Sequence, residues 1–383
     1  MSLLIKITCV LSLTMIVLTG CWDVKNIQDI NYLTAIGVDM EDDQYVVYVQ
    51  MLDFSNVTKP EGGSKPTQPI TPWIGKAKGK NVITALNEMY KTSQQQLYFG
   101  QISALVCTEK AMKGGLEPII DALDRYREFR YTSWVFGTKE TMENIFAVQP
   151  FFNQSPLSSL LHEPQAPYFQ ESSIVPLQLR QFVKDFREPG KTSLIPSLTI
   201  SKENWKTGFK EQPLLKIDGI YAFHSGTYKG WLGRKQLQGM RWMEPETKRS
   251  PLAIEMDGKP LVTLSIEKPK VNVTSLIADN KPTFHVDISV KATISQELEN
   301  ISQADIEQEA ETKIKKEIIE TYEVGLNNKT DILQLEHKFY RQKTKEWKKM
   351  IEDFPLTKES LNLNDIVVNV HITDSGRYKT IAE

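Results

Sequence analysis

Cysteine and histidine are scarce in this chain. Its 383 residues hold three cysteines and five histidines. Cys9 lies inside an apolar N-terminal run and Cys21 directly follows that run. If the run is removed and Cys21 is modified, Cys107 stands alone and no intrachain disulfide can form. Its setting, Ala104-Leu105-Val106-Cys107, is that of a small buried hydrophobe and not of a reactive thiol. His162, His224, His285, His337 and His371 fall in unrelated contexts, and none has the H-E-x-x-H spacing of a zinc site. There is no G-x-S-x-G elbow, no phosphate-binding loop and no Gly-rich dinucleotide turn. Neither sign of charge dominates: 46 Lys and Arg oppose 48 Asp and Glu, for a net charge of −2, which argues against a nucleic-acid partner. Beyond the N-terminus no apolar run approaches membrane-spanning length. The reading is of a protein with no catalytic residues, no metal and no cofactor, and not of an enzyme.

What is present begins at the N-terminus. Lys6 precedes a largely apolar run from Ile7 to Leu18, about the length of a signal-peptide core and too short to span a bilayer. Leu18-Thr19-Gly20-Cys21 follows and resembles the bacterial lipobox. The resemblance implies diacylglycerol on the Cys21 sulfur and cleavage after Gly20. Loss of residues 1–20 removes Lys6 and no acid.

The rest of the chain has the composition of a water-soluble globular protein, with 40% hydrophobic and 25% charged residues. Three parts are expected after the signal peptide (1–20): an N-terminal α+β domain (21–196), a middle hairpin-and-helix domain (197–260), and a C-terminal domain (261–383). The fold class is α+β, with mixed or antiparallel sheets packed on helices. In the first part, 32–39 and 45–52 read as a hairpin across an acidic turn. Residues 58–72 read as an exposed loop. Val82, Ala85, Leu86 and Met89, then Leu116, Ile119, Ile120 and Leu123, recur at helical spacing. Arg125, Arg127, Glu128 and Arg130 form the charged end of the second helix, either a solvated terminus or a patch that meets a partner. Seven prolines between 150 and 196 mark a surface-crossing connection, with one short helix near 177–186. Residues 214–223 and 227–232 read as a hairpin, with Trp231 and Trp242 as packing residues. In the last part, strands at 261–267, 270–277 and 283–293 form an antiparallel sheet. Phe284, Val286, Ile288 and Val290 alternate with polar residues. Two long helices cover it. The first carries Ile306, Ala310, Ile314, Ile318 and Tyr322 and ends at Gly325. The second runs from Thr330 or Asp331 to Phe354, with its stripe weakened around Lys343. A strand at 366–372 closes the chain.

Gly20-Cys21-Trp22-Asp23, Ala35-Ile36-Gly37-Val38-Asp39, Leu97-Tyr98-Phe99-Gly100 and the stretch from Gly219 to Gly239 occur here in one order. Together they resemble the Ger(x)C family of spore germination lipoproteins. The resemblance implies the C subunit of a nutrient germinant receptor, held at the outer face of the spore's inner membrane by a lipid on Cys21. It further implies docking to integral-membrane A-type and B-type subunits. Members of that family usually carry Gly-His where this chain has Gly100-Gln101, Arg-Asp at Arg125-Tyr126, and a glutamate at Gln236. Arg125, Arg127, Arg130 and Gln236 are accordingly the candidate partner contacts. Two other readings are a solute-binding lipoprotein that delivers a small ligand to a transporter, which requires a cleft between two similar lobes, and a cell-wall hydrolase.

Overall fold

A computed structural model describes residues 30–52, 70–256, 259–298, 301–350 and 360–374, with Ile5 and Thr357 as isolated positions. The lipobox, Cys21 and most of the expected 58–72 loop lie outside the described residues.

The first body is built on one large mixed sheet. In chain order its strands are β1 (Ile30–Glu41), β2 (Gln44–Met51), β3 (Trp73–Gly79), β4 (Gln96–Tyr98), β5 (Ala104–Thr108), β6 (Trp134–Thr138), β7 (Thr192–Ser201), β10 (Leu214–His224) and β11 (Thr227–Gly233). They lie in the order β11-β10-β7-β6-β5-β1-β2-β3, with β4 also on β1. The run β1, β5, β6 and β7 is parallel, while hairpins at either flank are antiparallel. Between β7 and β10 a small hairpin, β8 (Lys206–Thr207) with β9 (Lys210–Glu211), stands apart.

Parallel central strands must be covered on both faces, and the side chains divide accordingly. Val47, Val49, Leu105 and Cys107 face one core, beneath α1 (Val82–Tyr90), α2 (Glu109–Lys113), α3 (Glu117–Asp124) and α6 (Leu179–Arg187). Val46, Tyr48, Ala104, Val106 and Phe136 face the other, beneath α4 (Met142–Ala147). Leu161 also packs there, so the proline-rich stretch is more than a surface connection. It contributes a core residue, two 3-10 turns and α5 (Gln165–Gln170).

The second body is a four-stranded sheet, β12 (Ser250–Met256), β13 (Lys259–Ala278), β14 (Lys281–Glu297) and β15 (Asn362–Asp374), in that order. The two strands expected at 261–277 are one strand with a register shift between Glu267 and Lys270. β13 turns into β14 through Asp279 and Asn280, both with positive φ (50° and 59°), as a two-residue hairpin requires. The alternation on β14 holds, with Phe284, Val286, Ile288, Val290 and Ala292 buried. The sheet is mixed: β15 runs parallel to β14.

Its helical cover is α7 (Met240–Met243), α8 (Gln303–Asn327), α9 (Leu335–Gln342) and α10 (Thr344–Met350). Ser302 caps α8 by accepting from the Asp305 N–H, and Ile306, Ala310, Ile314 and Ile318 are fully buried. The helix does not stop at Gly325. It runs on to Asn327, and Gly325 serves close approach: a Cβ there would lie 2.8 Å from the Thr330 carbonyl oxygen. The second long helix is two, broken at Lys343 (φ −139°, ψ 56°), where the apolar stripe weakened.

Residues 197–260, expected as a domain of their own, are divided between the two bodies. β10 and β11 extend the first sheet, whereas Trp242, Leu252 and Ile254 belong to the second core.

Candidate docking site

Ile30, Asn31 and Tyr32 pair in parallel with Gln96, Leu97 and Tyr98. The chain therefore joins the large sheet beside the segment that links α1 to β5. Against that segment lies the end of α3. Tyr126 packs its ring 5.0 Å from Phe99 and its hydroxyl 3.1 Å from that of Tyr90. Burial and this hydrogen bond push the Tyr90 phenol well above its ordinary pKa, so it stays neutral. The Glu128 carboxylate accepts from the Phe99 N–H at 3.3 Å. Between these parts opens a groove of about 750 Å³, lined by Ile83, Tyr90, Leu97, Phe99, Arg125 and Arg127, among others.

Of the three arginines singled out in the sequence, Arg125 and Arg127 border this groove. Arg125 is partly occupied: it makes two 3.0 Å hydrogen bonds to Asp121, one turn back on α3. Both groups are exposed, so the pair adds little stability and remains available for exchange. Arg127 and Arg130 are exposed and make no ion pair among the described residues. The groove thus combines an apolar and aromatic floor with Arg125, Arg127 and Glu128 at its rim, where the two arginines outnumber the one carboxylate, a surface suited to an acidic, partly apolar partner segment.

Gln236 is not brought to this groove. It follows β11, at the far edge of the same sheet. Although exposed, its side chain is engaged: Oε1 accepts from the Gly233 N–H at 3.0 Å and caps a 3-10 turn. That turn is fastened to α8, because Thr321 Oγ1 accepts from the Gly239 N–H (2.9 Å) and donates to the Gln236 carbonyl (3.2 Å). The glutamate usual in the resembled family would accept the same N–H. A structural role for this position is therefore sufficient.

Trp231 and Trp242 pack as expected, and each also donates its indole N–H. Trp231 Nε1 reaches Ser197 Oγ at 2.9 Å, and Trp242 Nε1 reaches Glu317 Oε2 at 2.7 Å. Glu317 also pairs with the buried Arg241 at 3.0 Å, and Arg241 stacks on Trp242 at 4.4 Å. Arg241 Nη1 also donates to the Pro251 carbonyl at 3.1 Å, while its buried Nε has no partner among the described residues; the pair ties α7 to α8.

The histidines stand apart. His162 is buried among Ser103, Gln50 and Leu161, and burial holds its pKa down to about 3. His337 lies 3.4 Å from Glu188, and His371 lies 3.7 Å from Glu307. His224 belongs to a joint between the two bodies that sequence reasoning missed. Its Nε2 lies 3.2 Å from the buried Glu336 carboxylate, and its Nδ1 lies 3.1 Å from Thr192 Oγ1. Gln334, in a left-handed conformation (φ 61°), closes the joint: its amide donates to the Thr192 carbonyl (2.9 Å) and accepts from the Thr192 N–H (3.1 Å). Asp331, read as a helix cap, accepts from the Glu336 N–H at 2.7 Å, and burial raises its pKa to about 6. No local pattern signals this joint, since the contacts that cross it, Thr192 with Gln334 and His224 with Glu336, join residues more than 100 apart. Cys107 is buried and its thiol is pushed up to about 12 by burial, as its setting indicated. Among the described residues no cluster of three or more His, Cys, Asp or Glu is placed to hold a metal ion, and no helix is long and apolar enough to cross a membrane.

Residues 23–200 match the family described as the spore germination protein N-terminal domain, and residues 218–376 match the spore germination B3/GerAC-like C-terminal domain. Spore germination protein KC of Bacillus subtilis (strain 168) is 25% identical over 358 residues, covering 88% of each chain. Spore germination protein B3 of the same organism is 20% identical over 289 residues, covering 74% of this chain and 72% of its own. The crystal structure of the GerBC protein superposes with a TM-score of 0.54 at 17% identity, over 88% of this chain and 97% of that one, so the two share a fold. The two matched domains together span most of the chain, which therefore belongs to the Ger(x)C family of spore germination proteins.

Proposed function

We propose that the chain is the lipid-anchored C subunit of a nutrient germinant receptor. It is held at the outer face of the spore's inner membrane through Cys21 and acts by docking to integral-membrane A-type and B-type subunits, without catalysis. The observation that carries this reading is where the chain joins the sheet. Nine residue steps separate Cys21 from Ile30, and an extended chain covers at most roughly 30 Å in that distance. Ile30 pairs with Gln96, and Gln96 lines the groove bordered by Arg125 and Arg127. An anchored chain therefore keeps that groove within reach of the bilayer. Tethering also raises the effective concentration of the groove for integral partners, so modest contacts suffice. The two lobes differ in strand number and topology, unlike the paired lobes of a solute-binding protein.

Affinity capture from spore membranes, followed by mass spectrometry, tests the assembly. Wild-type chain is expected to bring down the A-type and B-type subunits. Reversal of Arg125, Arg127 and Arg130 to glutamate is expected to reduce that recovery several-fold while leaving the melting temperature within a degree or two. Full recovery with the reversed patch would remove the groove from the interface, and recovery of neither subunit by wild-type chain would remove the receptor reading.

A further inference from the structure

Beside the His224–Glu336 joint, the two bodies enclose a cleft of about 490 Å³, within the usual size range of small-molecule sites, which favour domain interfaces. Its walls mix apolar and polar residues and come from both sides, the apolar ones including Ile174 and Leu194 from the first body and Met243 and Val273 from the second. Four charged side chains line it, Asp185 and Glu244 with Lys191 and Lys338. Lys338 is exposed and Asp185 accepts from Gln181 Nε2 at 2.8 Å, which leaves the half-buried Lys191 and Glu244 as the pair of opposite sign. Lys191 is supplied by the segment between α6 and β7, and Glu244 by the residue after α7.

Neither Lys191 nor Glu244 is held in an ion pair among the described residues. Glu244 accepts one backbone N–H, from Glu246, at 3.0 Å, and meets no cation within ion-pair distance among the described residues. Burial consequently raises the Glu244 carboxyl above the ordinary range, with Lys191 opposing this only from a distance. Lys191 likewise disfavours a proton on His337, which also lines the cleft and which burial already holds low. A half-buried carboxylate and a cation, set across partly apolar walls and too far apart to pair, are uncompensated until something spans them.

We propose that this cleft binds a small zwitterion with an apolar body, its carboxylate at Lys191 and its ammonium at Glu244. A bare amine would leave Lys191 unpaired and repelled, and a bare acid would leave Glu244 so. An uncharged apolar molecule would deepen the burial of both charges. Because its walls belong to both bodies, a bound zwitterion ties them together and stabilises the paired arrangement.

A length series of ω-amino acids, from 3-aminopropanoate to 7-aminoheptanoate, titrated calorimetrically into the purified full chain, tests this. Hexanoate and hexylamine serve as half-molecules. One member of the series is expected to bind at least tenfold more tightly than either half-molecule and to raise the melting temperature. Lys191→Met and Glu244→Gln are each expected to weaken it tenfold or more. Glutamine keeps the oxygen that accepts from Glu246, so that variant is expected to fold, and unchanged melting temperatures without ligand establish folding for both. Three results overturn the proposal: no member binds at millimolar concentration, a half-molecule binds as tightly as the best zwitterion, or both folded variants bind like wild type.

Discussion

His162 provides a prediction whose size follows from its position. Gln50 fixes the tautomer. Its amide nitrogen donates to the Phe146 carbonyl at 2.8 Å, which turns Oε1 toward His162 Nε2, 3.0 Å away, and toward the Thr34 hydroxyl at 2.8 Å. An amide oxygen only accepts, so Nε2 carries the hydrogen. Nδ1 then accepts from Ser103 at 2.6 Å. The folded ring titrates near 3, against 6.5 for an unperturbed histidine, because burial penalises the charged form. A folded pKa below the unfolded one means that the unfolded chain takes the proton more readily. The stability this contributes is complete above pH 6.5 and is lost as pH falls toward 3. The loss is about 1.4 kcal/mol per pH unit, or about 2 kcal/mol at pH 5.

Asp331 pulls the other way. Its folded pKa, near 6, exceeds the ordinary 3.8. Its contribution is full below 3.8 and lost as pH rises through 6, so acidification from pH 7 to 5 returns about 1.4 kcal/mol. Wild-type stability alone therefore hides both effects. His162→Leu isolates one of them. It removes the titrating ring, leaves Gln50 Oε1 bonded to Thr34, and frees the Ser103 hydroxyl to turn to the Thr34 carbonyl, 3.3 Å away. Urea unfolding of both proteins at pH 7, 6 and 5 measures the gap. Wild type is expected to lose about 2 kcal/mol relative to the leucine variant between pH 7 and pH 5. A gap constant to about 0.5 kcal/mol, against the 2 expected from linkage, would falsify the argument.

Two further expectations concern single side chains. Gly239→Ala places a Cβ 2.5 Å from the Glu317 carbonyl oxygen and 2.6 Å from the Ile318 Cα, both backbone atoms of α8. The turn must move off the helix at a cost of about 1–3 kcal/mol, read as a lower urea midpoint; an unchanged midpoint means that this contact is not close-packed. Cys21→Ala is expected to abolish incorporation of radioactive palmitate and to shift the chain from the membrane fraction to the soluble one, since two acyl chains anchor firmly; equal labelling of the two proteins refutes lipidation at that residue.

The elements that were legible in the sequence are those whose signal is local. Period-two alternation marked β14, and the spacing of Ile306, Ala310, Ile314 and Ile318 marked α8, because burial acts residue by residue along one element. Strand assembly is not local. Nothing around residues 214–232 says that their hairpin extends the first sheet and not a sheet of its own; the register with β7, from Ser201↔Leu214 to Thr192↔His224, decides that. The parallel course of β15 was not read from the sequence, where an antiparallel sheet was expected, although a strand that follows a long helical connection can return parallel to its predecessor.

The helix faces show why the site was harder still to read than the fold. Glu307 and Glu311, four apart on α8, have the pattern of a solvated helix face, which polar residues at that spacing ordinarily form. In the structure they accept from the Ile372 and Val370 N–H groups at 2.8 and 3.0 Å. β15 is the edge strand of its sheet, and its outward N–H groups would otherwise be open to another chain's strand. The same chemistry, a carboxylate every fourth residue, serves solvation or edge protection depending on a strand 59 and 65 residues away. Arg125 and Arg127 share that ambiguity. Their types and spacing say only that positive charge is exposed. The groove beside them, and the pairing of Ile30 with Gln96 that brings the proposed anchor near, give that charge a direction, and both depend on contacts that helical or strand periodicity does not encode.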